Sequence, residues 1–185
     1  MGDYKEIRCP LEEDVVRGLR MGEAVRLSGI VYTARDAAHE RLTELIEKGE
    51  PLPFDLKGQV IYYVGPAPAK PGQVIGSAGP TTSGRMDSFT PKLLSLGLKG
   101  MIGKGPRDEG VIEAMVKYGA VYFAATGGAG ALIAKSIKKV RIVAYDDLGP
   151  EAIREMMVES LPLIVAIDSQ GKDIYSEGWR RYTRG

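Results

Sequence analysis

Residues 97–126, GLKGMIGKGPRDEGVIEAMVKYGAVYFAAT, decide how this chain folds. The stretch GLKGMIGKG reads as a strand that runs into Lys104 between two glycines. DEGVIEAMVKYG follows as a helix, with acidic residues where the positive end of its dipole lies and Gly119 as its stop. GAVYFAAT is a second strand. A strand, a helix and a strand in so short a span form a unit of a layered α/β architecture, in which apolar strands are covered by amphipathic helices.

The same rhythm extends outward. Upstream, SFTPKLLSLGL is a short helix, PGQVIGSAGP a strand ending at Gly79-Pro80, and DLKGQVIYYVGPA a strand ending at Gly65-Pro66. ARDAAHERLTELIEKGE places Ala34, Ala37, Ala38, Leu42, Leu45 and Ile46 at three-to-four spacing before Gly49, which predicts an amphipathic helix. Before it, a polar lead-in gives way to a β-rich run from Ala24 to Thr33. Downstream, GALIAKSIKKV is predicted as a helix entered through Gly127-Gly128-Ala129-Gly130 and VRIVAYDDL as a strand. GPEAIREMMVES is predicted as a helix with Pro150 in its first turn, and LPLIVAIDSQGKDIYSEG as a hairpin turning at Ser169-Gln170-Gly171. The expected fold is therefore α/β, a single domain over residues 1–185 with a mixed sheet flanked by helices. The earliest strands are expected to form a second, smaller sheet.

Composition narrows the function. The chain has 25 Lys and Arg against 24 Asp and Glu, so no general field gathers nucleic acid or an anionic membrane, and any anion must be bound locally. No apolar run approaches the ~20 residues of a membrane helix, and MGDYKEIRCP lacks the apolar core of a signal peptide; a cytoplasmic location is expected. Cys9 is the one cysteine and His39 the one histidine. Neither can build a zinc or iron–sulfur site alone, and His39 reads as a structural hydrogen-bonder rather than a base.

Ligands in such folds collect where strands deliver the chain into loops. Four loops carry polar chemistry: Thr33 to Asp36, Pro80 to Asp87, Gly103 to Arg107, and Thr126 to Gly130. The second sits in GPTTSGRMDSFTP, where Thr81, Thr82 and Ser83 offer hydroxyls and Arg85 offers a fork matched to a carboxylate, ahead of a predicted helix N-terminus. The alternative is that a Thr or Ser caps the helix while Arg85 pairs with Asp87 in solvent. Lys104 between glycines suits a charge aimed at a ligand, or a lysine in a surface turn. Arg35 reaches into a site or pairs with Asp36 or Glu40. TGGAGA lacks the spacing and the lysine of a phosphate loop.

VYTARDAAHERL, GPTTSGRMDSFTPKLL, GMIGKG and YFAATGGAGALIAKSI, in that order, closely resemble the β subunit, or fused C-terminal domain, of the class I iron–sulfur hydro-lyases, fumarase and L-tartrate dehydratase. The resemblance covers roughly residues 10–175. It implies a swivelling β/β/α-type domain that works with an α subunit, in an assembly of two α and two β chains (α2β2). The implied reaction is reversible hydration of a small dicarboxylate, fumarate to L-malate or the tartrate equivalent. A 4Fe-4S cluster is implied on three cysteines of the α subunit, not on this chain. Arg35, Arg85 and Lys104 are implied as substrate-binding cations and Thr81 as the base for the C–H proton. A dicarboxylate-binding domain without chemistry is the reading from a different class.

Overall fold

The computed structural model describes residues 4–125 and 130–177. In chain order these form β1 (Lys5–Arg8), α1 (Glu13–Gly18), β2 (Ala24–Thr33), α2 (Asp36–Lys48), β3 (Val60–Tyr62), α3 (Thr90–Ser95) and β4 (Gly100–Gly103). They continue with α4 (Glu109–Tyr118), β5 (Val121–Ala124), α5 (Gly130–Ser136), β6 (Ile137–Ala144), β7 (Ile153–Ile167) and α6 (Ile174–Glu177). Two 3-10 turns lie at Ser83–Met86 and Asp146–Glu151.

The strands make one seven-stranded mixed sheet in the order β1-β2-β3-β4-β5-β7-β6, not the two sheets expected. Strands β1 to β5 run parallel, and β7 runs antiparallel to β2, β5 and β6. One edge of β7 pairs with β2, and the other carries β6 near its start and β5 near its end. The ladder β2-β3-β4-β5-β7 thus returns to β2, which satisfies backbone groups that an open sheet would leave at its edges.

Both faces of β3, β4 and β5 are covered, so these strands read as continuous apolar runs. Val60, Tyr62, Ile102, Val121 and Phe123 pack in one cluster with Leu161, Leu163 and Val165 of β7. Ile61, Tyr63, Met101 and Tyr122 face the other way, under Ala38 and Leu42 of α2, Leu93 and Leu94 of α3, and Val111 and Met115 of α4. Asp108 caps α4 by accepting from the Val111 N–H at 2.8 Å, and Gly49 closes α2 in the left-handed region at φ 66°. Among the described residues, no helix is long and apolar enough to cross a membrane.

The main departure from the sequence reading lies in GPEAIREMMVES, which is not a helix but the turn and first half of the long strand β7. Met156 and Val158 are buried on the same face as Leu161, Leu163 and Val165, yet their spacing changes phase at Ser160, whose φ is 48°. Opposite, β2 shifts register between Leu27 and Gly29. This bulge breaks the period of two that marks a strand, and pairing on both edges overrides the local helical pattern.

Smaller departures have similar causes. PGQVIGSAGP forms no strand: the Ala67 N–H donates to Ser77 O at 2.9 Å and the Gly76 N–H to Ala67 O at 3.1 Å, so the proline-interrupted segment closes on itself. The helix predicted over GALIAKSIKKV stops at Ser136, because Ile137 onward pairs with β7. The polar lead-in contains α1. After β7 the chain turns where predicted, but it returns through a single bridge, Ile167 to Asp173, and then forms α6 instead of a strand.

Candidate active site

Because β2, β3, β4 and β5 are parallel, their carboxyl ends share one rim of the sheet. Arg35 leaves β2 there, Gly65 follows β3, and Lys104 follows β4. The start of β7 reaches the same rim, since Glu155 pairs with Tyr32 near the end of β2. A groove of about 660 Å³ opens on it, lined by Gly65, Pro66, Gly79, Pro80, Lys104, Gly130 and Pro150 among others.

Thr81 is held by its backbone between two strand ends. Its N–H donates to Tyr63 O at 2.7 Å, and its carbonyl accepts from the Lys104 N–H at 3.3 Å. The Ser83 N–H donates to Lys104 O at 2.9 Å, so Thr82 and Lys104 form a parallel bridge that extends the sheet by one rung. The Thr81 side chain is half-buried, and its hydroxyl has no protein partner among the described residues. The loop opens only the four-residue turn Ser83–Met86, without a side-chain cap, so the helix-dipole contribution and the capping role read from sequence are both absent.

The glycines around Lys104 are explained by space and torsion. A Cβ at Gly103 would overlap Ser83 Oγ and crowd the Tyr63 ring, and Gly105 sits at φ +83°. Lys104 itself is exposed.

Arg35 and Arg85 are linked through one carboxylate. Arg85 Nε donates to Asp36 Oδ1 at 2.9 Å, while Arg35 Nη2 lies 3.9 Å from Asp36 Oδ2. The sequence alternative that paired Arg85 with Asp87 is replaced by this contact, which crosses from α2 to the Ser83–Met86 turn. Arg35 also lies 3.5 Å through Nε from Glu151 Oε1, and its side chain rests on Gly65, where a Cβ would come within 2.9 Å of Arg35 Nη1. Arg35 Nε and Asp36 Oδ2 are buried without a hydrogen-bond partner. Thus Arg35, Arg85, Lys104 and Thr81 all stand on the rim, joined pairwise as Arg35 with Arg85 and Thr81 with Lys104. Of the glycine turn 126–130, only Gly130 is among the described residues; a Cβ there would lie 3.0 Å from Gly79 N.

A family model described as fumarase C-terminus matches residues 5–178. The chain belongs to the fumarase C-terminus family. A Methanocaldococcus jannaschii protein provisionally named L(+)-tartrate dehydratase subunit beta is 43% identical over 168 residues, 88% of this chain and 86% of its own length. Fumarate hydratase 2 of Leishmania major is 42% identical over 159 residues, 85% of this chain and 28% of its own. The anaerobic class I fumarate hydratase of Escherichia coli is 39% identical over 176 residues, 93% of this chain and 32% of its own. This fumarase C-terminus chain therefore spans less than a third of those two fumarate hydratases.

In this fumarase C-terminus chain, the sequence reading missed the contacts beneath these loops. Arg107, with no side-chain exposure, donates through Nε to Asp87 Oδ1 at 2.6 Å and through Nη2 to Thr90 Oγ1 at 2.8 Å. Asp87 Oδ2 accepts from the Asp108 N–H at 2.8 Å. Ser83 Oγ bonds Tyr122 OH at 2.8 Å, and that hydroxyl donates to Gly105 O at 2.9 Å. These contacts tie the loop of Thr81 and Arg85 to the loop of Lys104. A charged pair buried in this way had no local signal beyond an Arg-Asp dipeptide next to Pro106.

His39 is buried against Tyr63 and Phe89, and its Nδ1 faces Arg35 O at 2.8 Å. Burial pushes its pKa down to about 4, so it stays neutral and orients the start of α2, in line with its structural reading. The Cys9 thiol is buried and pushed up to about 12 by desolvation, and it lies away from the groove. Among the described residues no three His, Cys, Asp or Glu gather as a metal ligand set. The residues described do not fit an iron–sulfur cluster.

Proposed function

We propose that this chain is the β subunit of a two-subunit iron–sulfur hydro-lyase that interconverts fumarate and L-malate and is active only with an α subunit, in an assembly with two copies of each. The observation that supports the reading is that two pairs, Arg35 with Arg85 through Asp36 and Thr81 with Lys104, stand on one rim of the sheet, where Lys104 lines a groove wide enough for a four-carbon acid. Membership of the fumarase C-terminus family supports it. The 4Fe-4S cluster belongs to the α subunit in this proposal, and the complex works in the cytoplasm.

Two separated carboxylates need two cationic stations, which Arg35 with Arg85 and Lys104 supply. Asp36 takes the Nε edge of Arg85 and leaves its Nη groups for a ligand. Thr81 Oγ1, as its alkoxide, takes the C–H proton beside a carboxylate while hydroxide leaves the neighbouring carbon, and that proton then passes from Thr81 to the hydroxide, so malate yields fumarate and water and the alkoxide is restored. A threonine hydroxyl is a poor base in water; neighbouring cations and exclusion of solvent by the partner lower the cost of its alkoxide. The swivelling of this domain over the partner would complete that exclusion.

Tartrate dehydration is the second reading, favoured by the relative that this chain matches over most of both lengths. Tartrate differs from malate by one hydroxyl, and the rim contacts above do not distinguish the two. The test is co-expression with an α-type chain, anaerobic cluster reconstitution, and comparison of turnover on malate, fumarate and tartrate. Preferred turnover of tartrate would reassign the substrate. Dicarboxylate binding without turnover in any pairing would leave a binding domain and refute the enzyme.

A further inference from the structure

The turn Asp146–Glu151, between β6 and β7, has no role in the reaction as described above, yet it is fastened more firmly than an ordinary surface connection. Arg154 Nη1 donates to Pro150 O at 3.0 Å and to Ala152 O at 3.1 Å, and Nη2 donates to Gly149 O at 2.9 Å. No carboxylate is hydrogen-bonded to Arg154 among the described residues, so its donors serve the turn's backbone. Thr33, the last residue of β2, accepts from the Arg154 N–H at 3.0 Å and donates to Ala152 O at 3.3 Å. From the other side, Arg41 of α2 grips Asp147 with both Nη groups.

What this fastening presents to the site is specific. The Pro150 carbonyl lies 3.4 Å from the position of a Cβ on Gly65, the glycine on which Arg35 rests. The next residue, Glu151, stands 3.5 Å from Arg35 Nε, on the edge of the guanidinium opposed to the Nη1 atom packed on Gly65. Pro150 also lines the groove. A guanidinium with Glu151 near Nε, Asp36 near Nη2 and the Gly65 backbone under Nη1 has little freedom to swing, and it rests on Gly65, which lines the groove.

We infer that Arg154 is a positioning residue for the substrate-binding Arg35, acting through the turn it clamps and the Glu151 carboxylate that the turn carries. The inference rests on the reading of Arg35 as a carboxylate station. Loss of the clamp frees the turn, Glu151 leaves the Nε edge, and Arg35 no longer meets the dicarboxylate in one fixed orientation, so substrate affinity falls before the chemical step does.

The test combines two measurements on Arg154→Met, Arg154→Lys, Glu151→Gln and the Arg154→Met/Glu151→Gln double variant. In the full-length chain alone, the Arg35 Nε–Hε resonance is followed by NMR, which needs no turnover. Both Arg154→Met and Glu151→Gln are expected to shift it in the same direction, with the double variant no further displaced. In the reconstituted complex, KM for the dicarboxylate is expected to rise roughly five- to twenty-fold for either single variant, more than kcat falls, with the double variant no worse than the worse single one. Arg154→Lys, which satisfies fewer carbonyls, is expected to fall between wild type and Arg154→Met. An unmoved Arg35 resonance in Arg154→Met, additive effects in the double variant, or a lower KM in Glu151→Gln would overturn the inference. If the wild-type complex turns over no dicarboxylate while the resonance shifts as expected, the functional reading fails and the clamp stands.

Discussion

Arg107 Nε lies 2.6 Å from Asp87 Oδ1, and solvent reaches none of the arginine side chain. The pair joins the loop that follows β4 to the loop that carries Thr81 and Arg85. Removing one partner leaves a buried charge without compensation, which costs about 3–5 kcal/mol. Asp87→Asn is therefore expected to lower the urea midpoint of the whole chain by that equivalent. A stability within about 1 kcal/mol of wild type would show that water already screens the pair.

Arg85 contrasts with Arg107. Its side chain is 54% exposed, and its pair with Asp36 is of the kind that contributes about 0–1 kcal/mol to stability. Arg85→Ala is expected to leave the melting temperature nearly unchanged. In the reconstituted complex it should cost roughly 2–5 kcal/mol of transition-state stabilisation, because it would grip a carboxylate sealed from water. Near-normal kcat/KM would remove Arg85 from the substrate's contacts.

Thr81 is held through its backbone, so its hydroxyl can be removed without breaking a protein hydrogen bond found here. Thr81→Val should fold as wild type and lower kcat by at least ~100-fold, the usual contribution of a positioned base. Retained turnover would assign the proton to a group on the partner.

Gly103 has no room for a side chain. A Cβ there overlaps Ser83 Oγ and crowds Tyr63, so Gly103→Ala must push β4 away from the Thr81 loop. Overpacking of this kind costs about 1–3 kcal/mol. Thermal unfolding should drop by roughly 2–4 °C for each kcal/mol in a chain of this size.

His39 sets a pH dependence of stability. Its folded pKa of about 4 lies below the ordinary 6.5, so the unfolded chain binds the proton more readily between those values. Its contribution is complete above the ordinary pKa and is lost as pH falls through the window toward the folded value. From pH 7 to pH 5 the loss from this one residue is about 2 kcal/mol. Urea titrations of wild type and His39→Gln at the two pH values should differ by that amount. Parallel pH dependence in the two proteins would mean that His39 is solvated.

Most of the parallel part of the fold was already visible in the residues. Strands β3, β4 and β5 are apolar on both faces, and α2 and α4 carry acidic starts and glycine stops, so local pattern alone marks them. The proposed site cations Arg35 and Lys104 follow β2 and β4, where parallel pairing gathers chain ends on one rim, so their positions on the fold were legible from the strand order. By itself, then, the sequence determined an α/β layer with mixed strands and the identity of the polar residues at its loops. Tertiary structure alone decided the rest. The helical look of residues 149–160 yielded to a strand because β2 and β6 offered partners on both edges, and the bulge at Ser160 hid its alternation. Asp36 between two arginines, Asp87 with Arg107 and Glu151 beside Arg35 join residues distant in the chain, apart from Arg35 and its neighbour Asp36. Such pairings depend on which loops the closed ladder brings within a few ångströms, and no local spacing encodes that distance.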